Sequence, residues 1–218
     1  MCGIAGFIDF NKTSSEPVLL NMTNTLVHRG PDGFSTELIS TPSFDLGMGH
    51  RRLSIIELSE HGTQPMKWES LWLCFNGEIY NYREIKTELS QLGHTFIGNS
   101  DSEMILHAYK QWGKECIHRF IGMFAFVIFD AKTLEFFCAR DRAGVKPFFY
   151  YLKDGLFLFS SELKAFHQHP RFEKEIDNWK NDLNSINDVV FNTRGDMIYS
   201  CDADGVVKTW DLRKIQEL

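Results

Sequence analysis

The stretch from Cys2 to Phe10 constrains the fold more than any other part of the chain. Ile4, Ala5, Phe7, Ile8 and Phe10 leave almost no polar surface before the Asn11-Lys12 break, so the segment reads as a strand buried on both faces. Its open end carries Cys2, and removal of Met1 would leave a single residue holding both a thiol and a free α-amine. A free thiol titrates near ~8.5 and an α-amine near ~7.7 to 8.0, so a neutral terminal amine can take a thiol proton close to working pH without a histidine. A lone cysteine at a strand end is more often a small buried residue. The rest of the chain decides between the two.

The remaining pattern alternates strands and helices. Pro17 to Val27 places Leu19, Leu20, Met22, Leu26 and Val27 at helical spacing, then stops at the turn formers His28-Arg29-Gly30-Pro31-Asp32-Gly33. Gly47 to Ile56 and Leu71 to Phe75 read as strands, Arg83 to Leu92 and Glu103 to Trp112 as helices. Phe124 to Phe129, Glu135 to Ala139, Phe148 to Leu152 and Leu156 to Ser160 follow as an expected antiparallel meander. Two helices between two groups of strands predict packed sheets with helices outside. At 218 residues the chain has room for one large domain, or one domain and a fragment.

A net charge of −6 gives no electrostatic reason to expect nucleic acid or an anionic membrane as a partner. The longest apolar run, Met123 to Phe129, is far short of the roughly 20 residues of a spanning helix, and no signal peptide opens the chain, so a cytoplasmic protein is expected. Five scattered cysteines without a Cys-x-x-Cys pair read as reduced thiols, and the eight histidines lack ligand spacing. No metal is expected.

Several loops carry motifs in a fixed order. These are Cys2-Gly3-Ile4-Ala5-Gly6-Phe7, His28-Arg29-Gly30-Pro31-Asp32, Gly49-His50-Arg51-Arg52-Leu53-Ser54-Ile55 and Phe75-Asn76-Gly77-Glu78-Ile79-Tyr80-Asn81. Ser100-Asp101-Ser102-Glu103, Gly122 to Phe126, Arg140 to Pro147 and Ser160 to Ala165 continue the series. Together they resemble the glutamine amidotransferase domain of asparagine synthetase over residues 1–168. The resemblance implies an α+β fold of the N-terminal nucleophile (Ntn) hydrolase class, with four αββα layers.

It also implies a mechanism. Cys2 would attack the side-chain amide of glutamine, its own amine would shuttle the proton to departing ammonia, and water would hydrolyse the γ-glutamyl thioester to glutamate. The Asn76 side-chain amide and the Gly77 backbone N–H would form the oxyanion hole. Arg52 would hold the glutamine α-carboxylate, and Asp101 with Glu78 its α-ammonium. Read without the family, Asp101 could cap the following helix and Asn76-Gly77 could be a hairpin turn. Arg29 and Asp32 are expected to tie their turn together, and Asp141, Arg142 and Lys146 to organise a loop, with no chemical step.

The C-terminal part departs from the family. The Ser-Gly-Gly phosphate loop of a synthetase domain is missing, so the chain itself is expected to bind no cofactor, ATP and magnesium belonging to that other domain. Residues 169–184 read as a linker with a remnant of the family continuation. Residues 185–213 resemble a single WD40 blade, an all-β unit with strands at Ile186 to Phe191, Met197 to Cys201 and Val206 to Trp210 and a Trp210-Asp211 signature, followed by a tail at 214–218. One blade cannot close a propeller, so it is expected to be a partly exposed appendage or to pair outside the chain. The leading expectation is a glutaminase whose ammonia acceptor or synthetase domain is supplied in trans. The alternative is a silent amidotransferase remnant that binds a protein partner through residues 185–213.

Overall fold

Apolar residues on both faces place β1 (Gly3–Asp9) in the middle of a sheet, fully buried along its length. The computed structural model describes residues 2–53 and 62–173 with side chains, and the backbone of strands at Ile186–Phe191, Met197–Asp202 and Val207–Asp211. β1 pairs antiparallel with β3 (Asp45–Arg52) and with β9 (Leu156–Ser160). β2 (Gly33–Ser40) and β8 (Phe149–Lys153) form the two edges, in the order β2-β3-β1-β9-β8. The second sheet runs from β4 (Met66–Trp68) through β5 (Leu71–Ile79) and β6 (Gly122–Asp130) to β7 (Glu135–Arg140). It continues as β10 (Ile186–Phe191), β11 (Met197–Asp202) and β12 (Val207–Asp211).

The period-2 alternation of each strand divides the core into three layers of side chains. Ile4 and Ile8 share the central core with Met48, Phe157 and Phe159 of their own sheet and with Cys74, Val127, Phe129 and Phe136 of the other. Aromatic pairs cross this interface, Phe136 to Phe159 at 5.5 Å and Phe44 to Phe129 at 5.9 Å between centroids, each worth about 0.5–1.5 kcal/mol beyond its buried area. The alternate residues Ala5 and Phe7 pack on Leu19, Met22 and Leu26, in and just after α1 (Glu16–Asn24). Beyond the second sheet, Leu73, Phe75, Phe126 and Ile128 pack on Ile85 and Leu89 of α2 (Tyr82–Gln91) and on Met104, Ile105 and Ala108 of α3 (Asp101–Trp112). The order of layers is therefore helix, sheet, sheet, helix.

The structure corrects several expectations. The meander is divided: β6 and β7 lie in the second sheet, whereas β8 and β9 return to the first, the 141–148 loop crossing between them. α1 ends at Asn24, three residues before the expected Val27. β5 continues through Asn76-Gly77 to Ile79, paired residue by residue with β6, so that dipeptide is no hairpin turn. β2 was not expected, because an edge strand with half-exposed residues on both faces lacks a clear alternation. The expected strand Gly47 to Ile56 is β3 as far as Arg52, its last residues lying outside the described ones.

The C-terminal strands differ too. Instead of hanging free or pairing outside the chain, β10 adds to the second sheet, Asp188 to Val190 running antiparallel to Phe137 to Ala139 of β7. Residues 169–173 pack back on the first sheet. Arg171 donates to the buried Asp9 at 2.7 Å, His169 meets Ser14 at 2.8 Å, and the Phe172 ring lies 5.7 Å from Phe166. Burial alone would raise the Asp9 carboxyl, but hydrogen bonds from Ser14, Thr13 and Asn11 hold it down at about 2.

Candidate active site

Cys2 sits at the free end of β1, where the neighbouring strands fix it. Ile4 N–H donates to Ser161 Oγ at 3.0 Å, and Ser161 N–H donates back to the Ile4 carbonyl at 2.8 Å, clamping the strand start against the end of β9. Arg29 Nε donates to the Cys2 carbonyl at 3.0 Å. Leu53 N–H points at Cys2 Sγ at 3.4 Å, which brings the thiol beside the end of β3 and hence beside Arg52. The half-buried thiol is thus held without being sealed off.

Gly30 explains how the His28 to Gly33 turn comes so close. A Cβ there would lie 2.4 Å from the Arg51 carbonyl carbon and 2.5 Å from Arg52 N, so the turn can lie flat on β3 only as glycine. Arg29 then reaches past the turn, Nε to Cys2 and Nη1 to Glu162 at 3.1 Å. Partial burial would raise Glu162, but hydrogen bonds from His28, Arg29 and Lys164 hold it at about 2. Arg29 therefore grips the Cys2 strand itself and does more than tie its own turn, the role expected from sequence.

The second sheet meets this end of the first through His50. Its Nε2–H donates to the Phe75 carbonyl at 3.2 Å, joining β3, two residues before Arg52, to β5, one residue before Asn76. Burial, reinforced by the nearby Arg52 charge and partly offset by the Phe75 hydrogen bond, lowers His50 to about 4, so it is a neutral donor. Gln64 braces the same point: its Oε1 accepts from Phe75 N–H at 2.6 Å and its Nε2 donates to Ser102 of α3 at 3.2 Å. Sequence reading missed both braces, because each joins segments far apart in the chain, although His50 itself stands in the Gly49 to Ile55 motif.

Asn76 is 1% exposed, and its Nδ2 has no hydrogen-bond partner among the described residues. A buried amide donor left unpaired costs about 1–3 kcal/mol, and native folds keep few of them. Gly77 faces Phe124 across the ladder so closely that a Cβ would stand 2.3 Å from the Met123 carbonyl oxygen and 2.6 Å from Phe124 Cα. Glu78 follows, half buried.

Asp101 opens α3, but the cap is Ser100, whose side chain accepts from Glu103 N–H. Asp101 instead accepts from Ile79 N–H at 3.2 Å, which holds its carboxylate against the end of β5. Burial, opposed by backbone hydrogen bonds and aided by the nearby Glu78 charge, pushes it up to about 6. Arg52 lies half buried at the end of β3, its carbonyl accepting from Asp32 N–H at 3.1 Å. The rest of its motif, Ser54 and Ile55, lies outside the described residues. The structure thus brings Cys2 and Arg52 together at the end of one sheet, and places Asn76, Gly77 and Glu78 on the strand the His50 bridge docks there, with Asp101 of α3 held against that strand's end. The described residues contain no cluster of His, Cys, Asp and Glu able to hold a metal.

Comparison with known proteins bears on the family and the fold. The family model described as a glutamine amidotransferase domain matches residues 1–199. Asparagine synthetase [glutamine-hydrolyzing] 3 of Bacillus subtilis is 39% identical over 183 residues, covering 81% of this chain and 29% of that protein. A putative asparagine synthetase [glutamine-hydrolyzing] 2 of Methanocaldococcus jannaschii is 40% identical over 181 residues, covering 76% of this chain and 35% of its own length. The chain spans about a third of the length of these relatives. Among solved structures, glutamine phosphoribosylpyrophosphate amidotransferase from B. subtilis superposes with a TM-score of 0.65 at 17% identity, covering 97% of this chain and 49% of the other. A second structure, the allosteric regulatory enzyme of purine biosynthesis, gives 0.70 at 18% identity over the same shares. At such identities the two structures establish the fold.

Proposed function

The chain belongs to the glutamine amidotransferase family, and from that premise we propose that it hydrolyses glutamine to glutamate and ammonia through a γ-glutamyl thioester on Cys2. The observation that carries this reading is the buried Asn76 amide with an unused donor on the strand docked beside the Cys2 end of β1. A tetrahedral intermediate places its negative charge where such a donor waits, and a preorganised donor stabilises that charge without reorganisation. Gly77 N–H is the second donor in this reading. Arg52 holds the α-carboxylate of glutamine through its planar fork, and Asp101 with Glu78 holds the α-ammonium. Opposite charges at the two ends select a free amino acid over a glutamine side chain within a protein.

The relatives' names concern asparagine synthesis, and this chain matches about a third of them. We therefore propose that its ammonia serves an acceptor domain of the kind those relatives contain, whether joined or supplied in trans, with ATP and magnesium bound there. Residues 1–168, with 169–173 packed on them, form the catalytic unit in this reading. The WD40-like interpretation of 185–213 rests on Trp210-Asp211 and the antiparallel order of β10, β11 and β12; a partner would bind there on top of the pairing that β10 makes with β7. No helix among the described residues is long and apolar enough to cross a membrane, and a cytoplasmic location remains part of the proposal.

The test is glutamate release from glutamine by protein whose intact mass shows Met1 removed. Cys2→Ala should abolish release, and equal release by that variant would overturn the assignment.

A further inference from the structure

β5 runs on past its neighbour. β4 pairs with it only from Leu71 to Leu73, and beyond that point one edge of β5 carries no strand among the described residues. In an antiparallel ladder the backbone groups of alternate residues point to the same side, so Phe75, Gly77 and Ile79 share that edge. Side chains stand in for a strand there. Phe75 N–H donates to Gln64 Oε1 at 2.6 Å, the Phe75 carbonyl accepts from His50, and Ile79 N–H donates to Asp101 at 3.2 Å. Gly77, whose N–H is the second oxyanion donor of the glutaminase reading, lies between Phe75 and Ile79. Residues two apart on a strand, such as Gly77 and Ile79, stand about 7 Å from each other.

The Asp101 end of this spacing belongs to another element. Asp101 and Ser102 open the first turn of α3, whereas the apolar contacts that seat α3 on β5 begin at Met104. Apolar contact is non-directional, so it leaves the register of that first turn to hydrogen bonds. Gln64 supplies one: its Nε2 donates to Ser102 Oγ at 3.2 Å while its Oε1 holds Phe75. The side chain is 6% exposed, and both ends of its amide are used. Phe75 precedes Asn76 and Ser102 follows Asp101, so one amide links the neighbour of the oxyanion donor to the neighbour of the ammonium acceptor.

We infer that Gln64 is a positioning residue of the glutamine site: by holding Phe75 of β5 and Ser102 of α3 at once, it fixes the spacing between the oxyanion donors at Asn76 and Gly77 and the ammonium acceptor at Asp101. It moves no proton and acts only through the two elements it joins. The inference rests on the glutaminase reading for its purpose, while the coupling of β5 to α3 is a property of the folded chain alone.

The test separates the two. Amide hydrogen exchange, followed residue by residue by NMR on the full chain, reads the coupling without glutamine. Gln64→Met keeps the length of the side chain and removes both hydrogen bonds; it should speed exchange at Phe75 and at Ile79 by about tenfold relative to Ala125 in the centre of β6. Ser102→Ala frees only the helix end, so it should speed Ile79 by a similar factor and leave Phe75 within about threefold of wild type. In glutamate release, Gln64→Met should lower kcat by about tenfold and raise KM, whereas Ser102→Ala should raise KM by about fivefold with kcat within about twofold. Should Gln64→Met not fold, Gln64→Asn takes its place, its amide one methylene too short to reach both partners. Ile79 exchange unchanged in either variant, or a Ser102→Ala protein whose kcat falls as far as that of the Gln64 variant, would overturn the inference. The expected exchange pattern in a Met1-processed wild-type chain that releases no glutamate would overturn the glutaminase reading and leave the coupling standing.

Discussion

Asn76 and Asp101 each carry a cost in the folded chain. Asn76 Nδ2 lacks a partner among the described residues, so Asn76→Ala removes no hydrogen bond donated by that amide to them. The variant should lose about 10²–10³ in kcat, as removal of an oxyanion donor does, while its melting temperature stays within a few degrees of wild type. Asp101 is raised to about 6 from an ordinary 3.8, so its ionised form weakens the fold. Stability contributed by this group falls as pH climbs from about 4 to about 6 and stays reduced above that. Asp101→Asn should therefore stabilise the protein at pH 7 by about 2 kcal/mol in urea unfolding. The same change should weaken binding of glutamine to the Cys2→Ala protein by about tenfold or more, through loss of a charge-assisted contact. Calorimetry on that background should also show affinity falling as pH drops below about 6, a dependence absent in Asp101→Asn. Asn76 and Asp101 stood out in the sequence through the motifs that contain them, Phe75 to Asn81 and Ser100 to Glu103. Gln64, His50 and the Arg29 grip on Cys2 were not, since each depends on a contact between distant segments.

At the scale of elements, the local pattern identified β1, β5, α2 and α3 because their apolar faces follow a clear period. It failed for β2, whose edge position removes the alternation, and for the assignment of β8 and β9, because sheet membership depends on long-range pairing rather than on local period. The dipeptide Asn76-Gly77 shows how tertiary context overrides turn chemistry. Both residues lie within the β5 to β6 ladder, and Gly77 is needed there for close approach of the facing strand. Gly77→Ala would set a Cβ 2.3 Å from the Met123 carbonyl oxygen, a backbone atom that can move only with β6. The expected result is a loss of about 1–3 kcal/mol in urea unfolding, as for other overpacked sites, together with a loss of glutaminase activity larger than the stability change alone would cause.

At the scale of the whole molecule, the four layers depend on segments after residue 168. Arg171 supplies an ion pair to Asp9, which is 0% exposed, and Phe172 covers Phe166 and Tyr151. A chain ending at residue 168 leaves the Asp9 carboxylate without that cation and should be less stable than one ending at residue 173 by about 2–4 kcal/mol, measured by urea melts of the two. The ladder between β10 and β7 also gives the C-terminal strands a role that composition alone could not indicate, as the cover of an edge in the second sheet. The account as a whole stands on one covalent intermediate, a γ-glutamyl thioester on Cys2, and hydroxylamine intercepts such a thioester in place of water. Met1-processed protein given glutamine and hydroxylamine should form γ-glutamyl hydroxamate, and Cys2→Ala should form none. Processed, folded protein that yields no hydroxamate, or a Cys2→Ala variant that yields as much, would contradict it.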